Sequence, residues 1–299
     1  EISLGLVGSE MCIRDSAPAT LPPEPALPSV EKENWACIVT GVGGTGVVTI
    51  GAIIGMAAHL EGKGCGMIDM AGLAQKGGSV YSHVKVGRNP DAINAIRVSA
   101  EKASLILGGD LVVSGTKKVL AAVRQGKTLF VANTAEVFGG EFTRNADFSL
   151  PVERLKRAVT SAAGRDKVAF VDATGLAVAL FGNSIAANMF LLGFAHQKGG
   201  VPLSSAAIER AIELNGEAVK MNIEAFRWGR RTAHDQAAVE AMVAAARKPT
   251  ETRHISGTLQ EMVDRRAAFL TDYQDAAYAR RYRMAVGRIQ KAELERTPG

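Results

Sequence analysis

A cluster of glycines directly after an apolar run constrains the fold of this chain more than any other feature. The run from Ala36 to Thr40 precedes Gly41-Val42-Gly43-Gly44-Thr45-Gly46, and an apolar segment from Val47 to His59 follows. This order predicts a strand, a tight turn and a helix. The glycines at the first, third and sixth positions have the spacing typical of the first βα unit in a doubly wound sheet, so the sequence predicts an α/β fold.

The glycine turn is also the first candidate site. A helix N-terminus carries partial positive charge and free N–H groups, so a turn that leads into it can hold an anion. The candidate binding residues of this turn are Gly41, Gly43, Gly44, Thr45 and Gly46. Glycine is equally needed where a helix packs closely on a strand, and a turn without any ligand is therefore the alternative.

Three later apolar runs predict further strands of a parallel sheet that is buried on both faces: residues 103–114, 128–132 and 168–172. Shorter strands are expected over 64–69 and 80–86, and helices over 117–125, 151–162 and most of 183–231. Polar residues that follow the buried strands, such as Asn133 and Asp172, are either site residues or caps. The predicted fold is a doubly wound, mostly parallel Rossmann-like sheet with a helical C-terminal appendage.

Composition divides the chain into four segments. Residues 1–34 are expected to be a disordered linker because five prolines fall between Ala17 and Val30, and residues 1–16 resemble a peptide translated from sequencing-adapter read-through. Residues 35–235 form the main domain. Residues 236–256 are expected to be a second linker, and residues 257–299 two amphipathic helices that begin another domain.

The composition of the chain argues against several functional classes. No apolar run reaches the ~18 to 20 uncharged residues of a membrane span. The three cysteines have no C-x-x-C spacing, which argues against a zinc site or an iron–sulfur cluster within this chain and suits a reducing cytoplasm. Positive charge concentrates after residue 246, where 11 Lys and Arg face 7 Asp and Glu at helical spacing. That pattern is typical of a solvated or protein-binding face, and no nucleic-acid partner is expected.

A second candidate site is the glycine-rich loop from Gly72 to Ser79, between two expected strands. Loops carry function while the sheet positions them, and glycines let backbone approach another surface closely. Gln75, Lys76 and Gly77 are therefore candidate contact residues, with Lys76 as a cation for an anionic group. An exposed turn is the alternative.

The position of Asp69 is compatible with a dinucleotide-binding function. It lies 23 residues after Gly46, close to the spacing at which an acid binds the ribose hydroxyls of NAD. Capping of the strand end by Asp69 is the other explanation. The sequence lacks G-x-S-x-G, H-E-x-x-H and a lysine-ended phosphate loop, so it predicts no catalytic residue and no metal ligand.

Three stretches of the chain carry a family resemblance. They are the glycine turn, the run 69–78 followed by Ser82-His83-Val84, and residues 215–230 with Arg227-Trp228-Gly229-Arg230. Over residues 35–235 the chain resembles the gamma domain of the 2-oxoacid:ferredoxin oxidoreductases, most closely the indolepyruvate ferredoxin oxidoreductases. Residues 265–278 resemble the C-terminal domain of the long single-chain members, and the chain is then expected to be a fragment of such an enzyme.

The resemblance implies thiamine-dependent oxidative decarboxylation of an aryl or branched 2-oxoacid to an acyl-CoA. Thiamine diphosphate, Mg²⁺ and 4Fe–4S clusters would be carried by other domains, because Gly108-Gly109-Asp110 lacks the last glycine of the family's Gly-Asp-Gly motif and cluster cysteines are missing. Coenzyme A is the implied co-substrate and ferredoxin the implied electron acceptor.

The resemblance also implies partners and a place for the loop. A gamma domain packs against the thiamine domains, with Gln75, Lys76 and Gly77 expected in the wall of the site. The full-length enzyme is expected to be a cytoplasmic homo-oligomer, and this fragment alone is expected to be inactive. The alternatives are an NAD(P)-binding Rossmann oxidoreductase and a non-catalytic structural module.

Overall fold

The computed structural model describes residues 21–43, 46–71, 78–135, 150–246 and 256–296. The chain divides into two compact units, one within residues 1–247 and one within residues 248–299. The candidate site residues all belong to the first unit.

Six strands form the sheet of the first unit: β1 (Trp35–Val42), β2 (Gly64–Ala71), β3 (Ser79–Gly87), β4 (Leu105–Gly108), β5 (Leu129–Asn133) and β6 (Val168–Val171). Their order across the sheet is β2-β3-β1-β4-β5-β6. Strands β1, β4, β5 and β6 run parallel to one another. Strand β3 runs antiparallel to both of its neighbours, β1 and β2.

The predicted α/β fold is confirmed, and each of the four apolar runs contains one of the parallel strands. The end of the run 103–114 is not strand, because Leu111–Ser114 forms a short helix. The sheet is nevertheless mixed, because the β2-β3 hairpin lies beside β1. Only seven residues connect β2 to β3, whereas a parallel crossover needs about a dozen or more. These two strands must therefore pair antiparallel.

Helices cover both faces of the sheet: α1 (Val47–Leu60), α2 (Leu111–Ser114), α3 (Lys117–Leu120), α4 (Val152–Ala163), α5 (Ala173–Phe181), α6 (Ala187–Gln197), α7 (Ser205–Asn215), α8 (Val219–His234) and α9 (Gln236–Ala246). Successive residues of a strand point to opposite faces. Cys37 and Val39 accordingly pack into the core under α1, α5, α6 and α8. Ala36 and Ile38 pack into the opposite core, with residues of α2, α3 and α4.

The stretch before β1 is held in place, in contrast to the flexible linker expected for residues 1–34. Within the described part, Glu24 accepts hydrogen bonds from the backbone N–H and the hydroxyl of Ser205, both at 2.7 Å. The buried Arg230 donates to the carbonyl of Pro22 at 3.1 Å and to Glu24 at 3.2 Å. We call residues 21–30 the strap, because side chains of α7 and α8 fix it to the domain.

The range expected to be a second linker, residues 236–256, begins with helix α9. Asp235 caps this helix by accepting a hydrogen bond from the N–H of Ala238 at 3.0 Å. Val239 and Val243 are buried in the core of the first unit. The alanine-rich segment therefore packs as a helix up to Ala246.

The second unit consists of α10 (Leu259–Tyr273) and α11 (Ala276–Arg296) over its described residues. The Thr258 hydroxyl caps α10 by accepting from the N–H of Glu261 at 3.2 Å. Arg283 of α11 forms an ion pair with Asp264 of α10 at 2.6 Å. The expected helical appendage is confirmed. Among the helices that the structure describes, none is long and apolar enough to span a bilayer.

Candidate functional site

The glycine turn and the loop from Gly72 to Ser79 meet at one edge of the sheet, namely the edge at which the parallel strands have their C-terminal ends. Strand β1 ends at Val42, whose partner in β3 is Ser79, and β2 ends at Ala71, whose partner is Val80. The loop between β2 and β3 therefore leaves the sheet at the edge where the glycine turn enters α1. The N–H of Gly43 donates to the carbonyl of Gly78 at 2.7 Å and joins the two segments directly.

The structure requires glycine at positions 43 and 46 for different reasons. Gly46 precedes α1 with a φ of 80°, a left-handed conformation that glycine adopts without strain. A Cβ on Gly46 would also collide with the side-chain amide of Asn188. A Cβ on Gly43 would lie 3.2 Å from the carbonyl oxygen of Gly78. Close packing therefore accounts for both glycines, whether or not an anion binds.

The remaining predicted residues divide between the described and the undescribed chain. Gly41 is the seventh residue of β1 and pairs with Val80 of β3. Gly44, Thr45, Gln75, Lys76 and Gly77 lie outside the described residues. Both ends of the segment from 72 to 77 are fixed by β2 and β3, and the positive end of α1 lies at the same edge. The edge is thus suited to a negatively charged group.

A buried carboxyl follows β4 at this edge. The side chain of Asp110 is 1% exposed, and its Oδ1 accepts from the N–H of Val113 at 2.7 Å, which caps α2. Burial raises the pKa of Asp110 and outweighs the hydrogen bonds that it accepts from backbone N–H groups. Sequence reasoning noted Asp110 only as part of a departure from a family motif. Its signal in the sequence is an acid two residues after a buried strand.

Polar residues lie at the C-terminal ends of β5 and β6. Asn133 donates to the hydroxyl of Thr174 at 2.8 Å and to the carbonyl of Gly109 at 3.1 Å. Asp172 caps α5 by accepting from the N–H of Gly175 at 2.8 Å. The sequence left a ligand-site role and a capping role open for these two residues. In the structure Asp172 caps a helix and Asn133 links the ends of neighbouring strands.

The geometry does not support a dinucleotide site with Asp69. Asp69 pairs with Ser82 of β3, and Ser82 pairs with Val39 of β1. Two strand spacings, about 9 to 10 Å, therefore separate Asp69 from β1. In a dinucleotide fold the acid that binds the ribose lies at the end of the strand next to the glycine strand. Here β3 occupies that place.

The described residues do not fit a metal or a cluster. They contain no group of three His, Cys, Asp or Glu side chains that could hold a metal ion. Cys37 is buried in β1, and burial raises the pKa of its thiol well above the usual range, which disfavours the thiolate that a metal requires. Cys65 of β2 is likewise a free thiol with a raised pKa.

These features define a Rossmann-like α/β domain in which an antiparallel hairpin brings a loop beside the glycine turn of the first strand. Residues 36–232 match the pyruvate ferredoxin/flavodoxin oxidoreductase family, and the chain belongs to this family. Residues 259–299 match a family of unknown function, DUF6537. The family resemblance drawn from the sequence is confirmed.

Curated relatives match the first unit along nearly their whole length. The indolepyruvate oxidoreductase subunit IorB of Pyrococcus horikoshii is 29% identical over 205 residues, which cover 68% of this chain and 98% of the relative. The IorB subunit of Thermococcus kodakarensis is 26% identical over 205 residues, with the same coverage.

Two solved structures align with most of the first unit. The pyruvate oxidoreductase subunit PORC of Thermotoga maritima aligns with 20% identity and a TM-score of 0.48, over 67% of this chain and 97% of that one. The 2-oxoglutarate:ferredoxin oxidoreductase of Magnetococcus marinus, solved with 2-oxoglutarate, coenzyme A and succinyl-CoA bound, aligns with 16% identity and a TM-score of 0.50, over 68% of this chain and 32% of that one.

Proposed function

We propose that this chain is the gamma-type part of an indolepyruvate-type 2-oxoacid:ferredoxin oxidoreductase, which converts an aryl or branched 2-oxoacid to an acyl-CoA. The observation that carries the proposal is the match to IorB subunits over 98% of their length. Family membership supports the oxidoreductase role. The choice of an indolepyruvate-type substrate follows from the names of these relatives.

In this proposal the loop from Gly72 to Ser79 faces the thiamine-binding domain. Gln75, Lys76 and Gly77 form part of the wall of that site. The bond from Gly43 to Gly78 favours this assignment, since it fixes one end of the loop at the edge where open α/β sheets keep their ligands. Lys76 supplies a mobile positive charge for the carboxylate of the 2-oxoacid or a phosphate of coenzyme A.

Other domains of the same enzyme complete the chemistry. Thiamine diphosphate, Mg²⁺ and the 4Fe–4S clusters are assigned to those domains, because the sequence has no Gly-Asp-Gly motif and the described residues contain no group of metal ligands. Coenzyme A is the co-substrate and ferredoxin accepts the electrons. We assign residues 35–235 to the gamma-type domain and residues 257–299 to the start of the C-terminal domain of a cytoplasmic homo-oligomer that acts without nucleic acid or membrane.

Steady-state kinetics of the complete enzyme test the assignment. Reduction of a viologen dye is measured with coenzyme A and, in turn, indolepyruvate, phenylpyruvate, 2-oxoisovalerate, pyruvate and 2-oxoglutarate. The expected result is a kcat/KM at least ~10-fold higher for an aryl or branched 2-oxoacid than for pyruvate or 2-oxoglutarate, equivalent to ~1.4 kcal/mol. A preference for pyruvate or 2-oxoglutarate would overturn the substrate assignment.

A further inference from the structure

A groove of about 500 Å³ lies on the sheet face opposite α1. Its floor is apolar and includes Ile38 of β1 and Val119 of α3. Five side chains that can donate hydrogen bonds line it: Tyr81, His83, Arg97, Ser99 and Lys118. They come from β3, from α3 and from the connection between β3 and β4, so the fold brings together residues from three separate parts of the chain.

Contacts within the groove restrain two of these side chains. His83 is 4% exposed, and its Nδ1 accepts a hydrogen bond from the N–H of Val98 at 3.1 Å. A neutral imidazole that accepts at Nδ1 carries its proton on Nε2, so His83 is a donor on this wall. The ammonium of Lys118 lies 4.2 Å from the centroid of the Tyr81 ring, a cation–π contact that restrains the lysine.

The charged side chains that line the groove are cationic. Within the part of the chain that the structure describes, no Asp or Glu lines the groove, and neither Arg97 nor Lys118 forms an ion pair. Burial, together with the charges of Arg97, Lys118 and Lys85, lowers the pKa of His83 to about 4. Burial is the largest cause of this shift, and the three nearby cations act in the same direction.

We propose that this groove binds a small phosphate ester. The phosphate lies among Arg97, Lys118, Tyr81 and His83, and the organic part rests on the apolar floor. Charged and neutral donors from several directions suit a dianion with three free oxygens. The volume is that of a small-ligand site. This site is separate from the loop at the sheet edge and does not depend on the proposed substrate.

Calorimetric titration of the 299-residue chain with phenyl phosphate tests the proposal. One molecule is expected to bind per chain, more tightly than inorganic phosphate because of the apolar floor. Arg97→Ala and Lys118→Ala should each weaken binding about 10-fold or more, as expected for loss of a charge-assisted hydrogen bond. The matched controls Arg88→Ala and Lys127→Ala remove exposed cations outside the groove and should change Kd less than ~2-fold.

Nuclear magnetic resonance of the unaltered chain gives an independent readout. Because a bound phosphate anion favours the charged imidazole, saturating phenyl phosphate should raise the pKa of His83 from about 4. The His83→Gln variant assigns the resonance. An unchanged His83 titration would overturn the proposal. Equal weakening of binding in groove and control variants would do the same, since it indicates adventitious binding only.

Discussion

A single methyl group at Gly193 is expected to force helices α6 and α8 apart. A Cβ at Gly193 would lie 3.0 Å from the Cα of Phe226 and closer still to the carbonyl oxygen of that residue. The contact is reciprocal, because a Cβ at Gly229 would lie 2.8 Å from the N of Phe194 and closer still to the carbonyl oxygen of Phe190. Backbone atoms cannot rotate away as a side chain can, so a whole helix must move.

The magnitude follows from two opposing effects. Alanine is favoured over glycine within a helix by about 0.5–1 kcal/mol. Overpacking of a tight interior costs about 1–3 kcal/mol, and occasionally more. The cost at Gly193 lies at the upper end, because moving α6 from α8 also loosens Phe190, Phe194 and Phe226, each 0% exposed. We therefore expect Gly193→Ala to lower the free energy of unfolding by about 2 kcal/mol.

Gly55 of α1 supplies a matched control. A Cβ there would lie 3.6 Å from the sulfur of Cys65, an ordinary van der Waals contact. Gly55→Ala should therefore be neutral or up to about 1 kcal/mol stabilising. Urea unfolding monitored by circular dichroism measures both variants, with a similar m-value in each. If Gly193→Ala proved as stable as the unaltered chain, the inferred close crossing of α6 and α8 would be wrong.

Three further outcomes are expected. In the complete enzyme Lys76→Ala should lower kcat/KM about 10- to 150-fold if Lys76 contacts an anion in a water-poor site, whereas Lys127→Ala should change it little; a loss under ~3-fold would reject the role of Lys76. Burial alone would raise the pKa of Glu24, but hydrogen bonds from Ser205 and the charges of His196 and Arg230 outweigh it and lower that pKa. Its carboxylate therefore stabilises the fold above the ordinary carboxyl pKa and loses this effect as pH falls through the lowered value. Thermal melts of Glu24→Gln should lie below those of the unaltered chain at pH 7, and the difference should shrink as pH falls below the ordinary carboxyl pKa. The purified chain alone should not reduce a viologen dye with indolepyruvate and coenzyme A, and reduction in that assay would show that this chain carries the activity by itself.

The parallel part of the sheet was predictable because its strands are short, continuous apolar runs. Such runs are buried on both faces, as Leu105–Gly108 and Leu129–Asn133 are here, with every residue of the first run buried. The place of the hairpin was not predicted, since the strand that lies next to β1 is decided by pairing between distant residues. The seven-residue connection contained the necessary signal, because its length excludes a parallel crossover.

The strap shows a different limit of sequence reasoning. Its prolines lack N–H donors and pointed to a flexible segment. Their carbonyls, however, still accept hydrogen bonds: Pro23 from Gln197 at 2.8 Å and Pro22 from Arg230 at 3.1 Å. These donors lie more than 170 positions away in the chain. A local composition rule cannot detect partners at that separation.

The edge site shows why one motif could not decide between binding and packing. The sequence left both roles open for the glycine turn, and the structure accounts for Gly46 by its positive φ and for Gly43 by its contact with Gly78. Neither glycine therefore requires a ligand to explain it. Since packing explains both described glycines of the turn, an anion-binding role of this edge rests on the proposal for Lys76, which the kinetics of Lys76→Ala test.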